Sequence, residues 1–173
     1  MTPDRTIVLV GLMGVGKTTV GRRLAARLGR PFVDSDAEIE AAAGMTVSEI
    51  FERHGEAYFR DGERRVIARL IGGPAQVIAT GGGAFVNDET RALILTRAVV
   101  VWLDGDIAML ARRVGRRDHR PLVRGKDPAA VLTALAAQRN PLYAEAHVRV
   151  QGADAPPERT VDAILDALAA YPG

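Results

Sequence analysis

The stretch Ile7-Val-Leu-Val-Gly-Leu-Met-Gly-Val-Gly-Lys-Thr18 decides how this chain is read. Its first four residues are an apolar run of strand length, and the remainder fits the phosphate-loop pattern of Gly, four free positions, then Gly-Lys-Ser/Thr. Glycines let the backbone curl so that several N–H groups point inward, and a helix beginning near Lys17 adds the positive end of its dipole. Lys17 is placed to reach β- and γ-phosphates, and Thr18 to set its hydroxyl on Mg2+. An amphipathic pattern follows (Val20, Leu24, Ala25, Leu28), so strand, loop and helix stand in the order this chemistry needs. The plain alternative is a glycine-rich turn with a chance lysine. Lysine is scarce, however: only Lys17 and Lys126 occur, against 21 arginines.

Strand-like and helix-like patterns alternate outward from this loop. Strands are expected at Thr6–Val10, Pro31–Asp34, Gln76–Thr80, Ala98–Leu103 and His147–Val150, with helical patterns between them. That alternation predicts an α/β fold: an open, five-stranded parallel sheet with helices on both faces. Thr46-Val-Ser-Glu49 reads as a capping box, and His54-Gly55 as a break before a second helix to about Leu70. At 173 residues the chain has room for one domain, 1–173, and not for two. Its 47% apolar and 25% charged content is that of a soluble protein, and no apolar run approaches the roughly 20 residues of a membrane span. The expected address is therefore cytoplasmic. Without cysteine, any metal must be held by oxygen or histidine ligands.

Several further groups carry chemistry. Asp34-Ser-Asp36 places two carboxylates one residue apart, which on an extended chain project to the same side. One could help hold Mg2+ while the other receives a substrate hydroxyl; alternatively Asp36 caps the following helix. Asp104, ending Val99-Val-Val-Trp-Leu103, competes for the metal by its resemblance to a Walker-B aspartate. Gly81-Gly-Gly83 ends the third strand and marks either a turn or a close approach of backbone to ligand. Glu56, Arg60 and Glu63 recur at helical spacing, where an exposed ion pair is the bland account. Arg139, in Gln138-Arg-Asn-Pro-Leu-Tyr143, is expected on the last turn before a stop or kink at Pro141. Six arginines crowd Arg112–Arg124, and Gly115–Pro128 reads as a mobile loop. No aromatic residue interleaves with these arginines to stack bases, so a loop closing over a nucleotide fits better than a nucleic-acid patch.

Taken together, Gly11–Thr18, Asp34-Ser-Asp36, Phe59-Arg60 with Glu63, Gly81–Gly83, Arg120-Pro-Leu122 and Arg139-Asn-Pro-Leu-Tyr143 resemble the shikimate kinases, in order and over nearly the whole chain. The resemblance implies a phosphate-loop kinase of the nucleoside-monophosphate-kinase type with strand order 2-3-1-4-5. It implies transfer of the γ-phosphoryl of ATP to the 3-hydroxyl of shikimate, a step toward chorismate and the aromatic amino acids. Lys17, Asp36 and Arg120 take the catalytic roles. Gly14, Val15, Gly16, Lys17, Thr18, Thr19, Arg113, Arg120 and Pro157 take the nucleotide. Asp36, Phe59, Arg60, Glu63, Gly81, Gly82, Gly83 and Arg139 take shikimate, with Arg60 and Arg139 on its carboxylate. One Mg2+ ion accompanies ATP, held by Thr18 and, through water, by Asp34. A lid is implied at about 114–124 and a shikimate-binding helical segment at about 35–70. The expected partners are ATP and shikimate, with no nucleic acid, no membrane and a monomeric state. One departure stands out. Relatives often carry an arginine beside adenine after the last strand, whereas this loop reads Gln151-Gly-Ala-Asp-Ala-Pro-Pro157.

A gluconate or nucleotide kinase of the same fold is the nearest rival, and the triple glycine and the Arg139 segment argue against it. A GTPase switch would need an Asn-Lys-x-Asp motif, which does not occur.

Overall fold

Strand β1 (Ile7–Val10) buries all four of its side chains, as a strand covered on both faces must. The computed structural model, which describes residues 4–116, 126–152 and 154–172, continues from it in strict alternation. Helix α1 (Lys17–Leu28), β2 (Phe32–Asp34), α2 (Ser35–Ala43), α3 (Val47–Ile71) and β3 (Val77–Ala79) come first. A short 3-10 turn (Ala84–Val86), α4 (Asp88–Arg97), β4 (Val99–Asp104), α5 (Ile107–Arg116), α6 (Pro128–Tyr143), β5 (Val148–Gln151) and α7 (Pro157–Ala170) follow. All five expected strands form, each within one residue of its expected ends.

The sheet is parallel throughout, in the order β2-β3-β1-β4-β5. Val8 lies between Ile78 and Val100, so the continuous apolar runs of β1, β3 and β4 form the centre. In β5 at the edge, Val148 and Val150 are buried while Arg149 and Gln151 are exposed. From β1 the chain moves outward to β2, returns to β3, and then crosses to β4 on the other side. The connections leaving β1 and β4 therefore part at the carboxyl edge, where open α/β sheets hold their ligands. The loops that meet there are 11–16, 80–83 and 104–106.

Three local readings are sharpened or corrected. Asp34-Ser-Asp36 is not extended: α2 begins at Ser35, which is fully buried, and Asp34 is the residue that caps it. The break at Gly55 is real, with φ 85 and ψ 173, yet α3 resumes and runs to Ile71. Helix α6 does not stop before Pro141 but carries that proline inside and ends at Tyr143. Beneath α2 and α3 lies a small second apolar cluster of Ile39, Ile50, Phe59 and Val66, separate from the main core. Among the described residues, no helix is long and apolar enough to cross a membrane.

Candidate active site

The loop after β1 ends at Gly16, whose φ of 96 a side chain would strain, and α1 starts at Lys17. Lys17 donates from Nζ to the Gly11 carbonyl at 2.6 Å and the Leu12 carbonyl at 3.2 Å, so its charge sits over the curled loop. Thr18 donates its hydroxyl to Asp34 Oδ2 at 3.2 Å. The other Asp34 oxygen accepts from the backbone N–H of Asp36 at 2.9 Å and of Ala37 at 3.3 Å. A cleft of about 470 Å³ opens in front of this loop. Gly14, Val15, Gly16, Lys17, Thr18, Thr19, Asp34, Asp36, Gly81, Gly82, Arg113 and Pro157 all line it.

The triple glycine owes its composition to space rather than to backbone conformation, since none of the three has a positive φ. A Cβ on Gly81 would lie 2.7 Å from Asp36 Oδ1. One on Gly82 would lie 2.8 Å from a guanidinium nitrogen of Arg139, and one on Gly83 would lie 2.8 Å from Cζ of Arg60. Side chains from α2, α6 and α3 thus rest on three consecutive residues, and only a bare backbone lets all three approach.

These side chains are largely withdrawn from water. Glu63 is fully buried, and Arg139 is 9% exposed. Arg60 donates to Glu63 Oε1 at 2.8 Å and lies with its guanidinium 5.1 Å from the Phe59 ring centre. The Glu56–Arg60–Glu63 stripe is therefore not the exposed ion-pair ladder that its spacing allows. Phe59 itself belongs to the second apolar cluster and meets the site through Arg60. Burial pushes the Glu63 carboxyl up to about 7, against the opposing charge and hydrogen bond of Arg60. Asp36 is likewise pushed upward, first by burial and then by the charge of Asp34, while Lys17 pulls it down. Asp36 Oδ1 and Glu63 Oε2 are buried without a hydrogen-bond partner. Such atoms are costly unless a ligand satisfies them.

Asp104 is engaged elsewhere: its Oδ2 accepts from Arg149 Nε at 3.1 Å. Arg113 donates to the Gly14 carbonyl at 3.1 Å, and Val114 is helical and buried. Arg120 lies outside the described residues, as does nearly all of the expected lid. Two participants escaped the sequence. Tyr143 is fully buried and donates from its hydroxyl to the Gly82 carbonyl at 2.6 Å. Asp154, in the departing loop, lies 3.8 Å from Arg113 and 3.6 Å from Arg112. The first was visible only as part of a motif, and the second had no local mark.

Comparison with known proteins decides the family. The shikimate kinase family model matches residues 13–169. The chain belongs to the shikimate kinase family. The shikimate kinase of Caulobacter vibrioides is 66% identical over 164 residues, covering 95% of this chain and 82% of that protein. That of Bradyrhizobium diazoefficiens is 55% identical, covering 96% and 81%. Among solved structures, a shikimate kinase from Acinetobacter baumannii in complex with shikimate superposes with a TM-score of 0.91 at 39% identity, covering 97% of this chain and 94% of that one. A gluconokinase from Sinorhizobium meliloti shares the fold at a TM-score of 0.63 and 20% identity, covering 98% and 94%. The five-stranded order thus agrees with that of phosphate-loop kinases in this family.

Proposed function

We propose that this chain transfers the γ-phosphoryl group of ATP to the 3-hydroxyl of shikimate, giving shikimate 3-phosphate and ADP on the route to chorismate and the aromatic amino acids. The observation that carries this reading is the meeting of Asp36, Arg139 and Arg60 on Gly81, Gly82 and Gly83, beside a phosphate loop. Two guanidinium forks suit a single carboxylate, and a carboxylate with an unpartnered buried oxygen suits ring hydroxyls. Shikimate offers both. That relatives at 55 and 66% identity carry this name supports the assignment.

In this reading the chain chiefly positions and neutralises, because phosphoryl transfer has a loose transition state. Lys17 and the N–H groups of Gly14, Val15 and Gly16 take the phosphates, with Thr19 behind them. Arg60 and Arg139 fix the shikimate carboxylate, helped by backbone N–H groups of Gly82 and Gly83. The 3-hydroxyl oxygen attacks the γ-phosphorus, the bond to the ADP oxygen breaks, and the hydroxyl proton passes to Asp36. Its upward-shifted pKa makes Asp36 a better acceptor than an ordinary carboxylate. Glu63 holds Arg60. Arg120, on the lid at about 114–124, supplies charge to the transferring group, and Arg113 and Pro157 flank adenine.

The adjacent Thr18 hydroxyl and Asp34 carboxylate fit one Mg2+ ion brought with ATP, Asp34 through water, and such an ion would offset charge on the phosphate oxygens. The arginine that binds Asp104 leaves that residue the poorer partner. Among the described residues no three His, Asp or Glu side chains gather at one point, so most oxygens around an ion here would come from phosphates and water. We assign the protein to the cytoplasm as a monomer. A coupled ADP-release assay tests the proposal. Turnover should require shikimate, and equal ADP release with gluconate or with no acceptor would refute it.

A further inference from the structure

Tyr143 closes α6, four residues after Arg139, and its phenol reaches across to the glycine loop 61 positions earlier. Its ring is packed between Phe85, with ring centres 6.3 Å apart, and Trp102, at 6.0 Å. The hydroxyl donates to the Gly82 carbonyl at 2.6 Å, and the Arg139 guanidinium, which lies against Gly82, is near enough for its charge to act on the phenol. Burial raises the phenol's pKa although Arg139 opposes this, so the group keeps its proton and remains a donor.

The geometry of the peptide unit turns this contact into something more than packing. Among the described residues all peptide bonds are trans, so the Gly82 carbonyl and the Gly83 N–H lie in one plane and point in opposite directions. Holding that carbonyl against Tyr143 turns the Gly83 N–H away from the aromatic core. No acceptor among the described residues takes that N–H. Backbone bonds from the Ala84 N–H to the Gly81 carbonyl and from the Val86 N–H to the Gly83 carbonyl, both 3.1 Å, hold the turn on either side, and Tyr143 holds the carbonyl of the Gly82–Gly83 peptide itself, where neither glycine has a side chain to restrict φ and ψ. The Arg139 guanidinium lies against Gly82, beside the peptide whose carbonyl the phenol holds.

We propose that Tyr143 is a positioning residue for the acceptor: its hydroxyl fixes the Gly82–Gly83 peptide plane, on which Arg139 rests, so that the Gly83 N–H and the Arg139 guanidinium are presented together to the substrate carboxylate. This rests on the assignment of that carboxylate to Arg60 and Arg139. The hydroxyl touches no reacting atom. It acts on binding through two neighbours.

Tyr143→Phe removes the oxygen and leaves the ring. With purified full-length enzyme, KM for shikimate should rise roughly tenfold, the loss expected when a hydrogen bond supporting a charged contact is removed. KM for ATP should stay within about twofold, since the phosphate loop is untouched. In an Arg139→Ala background the same change should cost distinctly less, because one of the two groups it positions is already gone. A merely structural tyrosine would lower the melting temperature and leave both KM values unchanged; that result, or a parallel rise of both, overturns the proposal. Should the variant not fold, wild-type protein labelled with 15N-glycine decides. Shikimate should shift the Gly83 amide and slow its exchange, and an unaffected Gly83 amide refutes the proposed presentation. If wild-type enzyme releases no ADP with shikimate, the functional assignment itself has failed, which is a different outcome.

Discussion

Replacing Glu63 by Gln tests how the site is held together. The carboxyl is fully buried, bonded through one oxygen to Arg60 and through the other to nothing. Its pKa stands at about 7 in the folded protein, against 4.5 as its ordinary value. Below pH 4.5 both states hold the proton, and above 7 neither does. Between these limits only the folded state keeps it, so stability falls as pH rises through this window. At about 1.4 kcal/mol for each tenfold step, the whole window amounts to roughly 3 kcal/mol. Gln has the same shape and still offers Arg60 an acceptor, but carries no charge to desolvate. The advantage of Glu63→Gln over wild type should therefore grow by about 3 kcal/mol from pH 4.5 to 8. Urea unfolding followed by circular dichroism at four pH values measures it, and every other titrating group cancels in the difference to first order. The variant should nonetheless bind shikimate more weakly, because a neutral amide holds Arg60 less firmly. A stability difference that is flat with pH would refute the reasoning.

Lys17→Ala should abolish shikimate-dependent ADP release while changing the melting temperature little, since its charge serves the phosphates rather than the core; a folded, active variant ends the kinase assignment. Asp36→Asn should cut turnover by about 10²-fold or more without lowering stability, because Asp34 rather than Asp36 caps α2. Steady-state kinetics beside thermal unfolding check it, and near-normal turnover would reduce Asp36 to a structural residue. Gly62→Ala, in the interior of α3 with nothing within 4 Å of the added methyl, should stabilise by about 0.5–1 kcal/mol, as denaturant unfolding would show; a loss of stability would mean the helix is not regular there.

The architecture was legible because it rests on local patterns. The apolar runs at Ile7–Val10 and Val99–Leu103 have no polar face to misplace, and Thr46 and Glu49 form the reciprocal cap that their spacing announces. The phosphate loop and the glycine triplet were legible for the same reason. Side-chain environments were not. Spacing alone left Glu63 and Arg60 open to an exposed-pair account, and only the motif resemblance placed them at the substrate, since helical spacing says nothing about which neighbour covers them. The residues alone offered Asp36 as the possible cap of the next helix, yet α2 begins at Ser35 and Asp34 caps it, while both carboxylates line the cleft. The Tyr143–Gly82 bond spans 61 positions, and nothing local to either residue foretells it. At Pro141 the stop, one of the two outcomes expected, does not occur, because α6 carries the proline without ending.

The way three helices converge on Gly81, Gly82 and Gly83 also governs when during folding the protein becomes competent. Asp36, Arg60 and Arg139 arrive from well-separated parts of the chain, and each must find the same short run of backbone after the parallel strands have paired. Parallel pairing is non-local and comparatively slow, so a half-formed domain holding β1 to β3 has the phosphate loop, Asp36 and Arg60 but lacks Arg139 on α6 as well as Arg113 on α5 and Pro157 on α7. Catalytic competence therefore belongs to the finished molecule. During refolding, shikimate-dependent turnover should return only as the last helices, α5, α6 and α7, dock on the sheet.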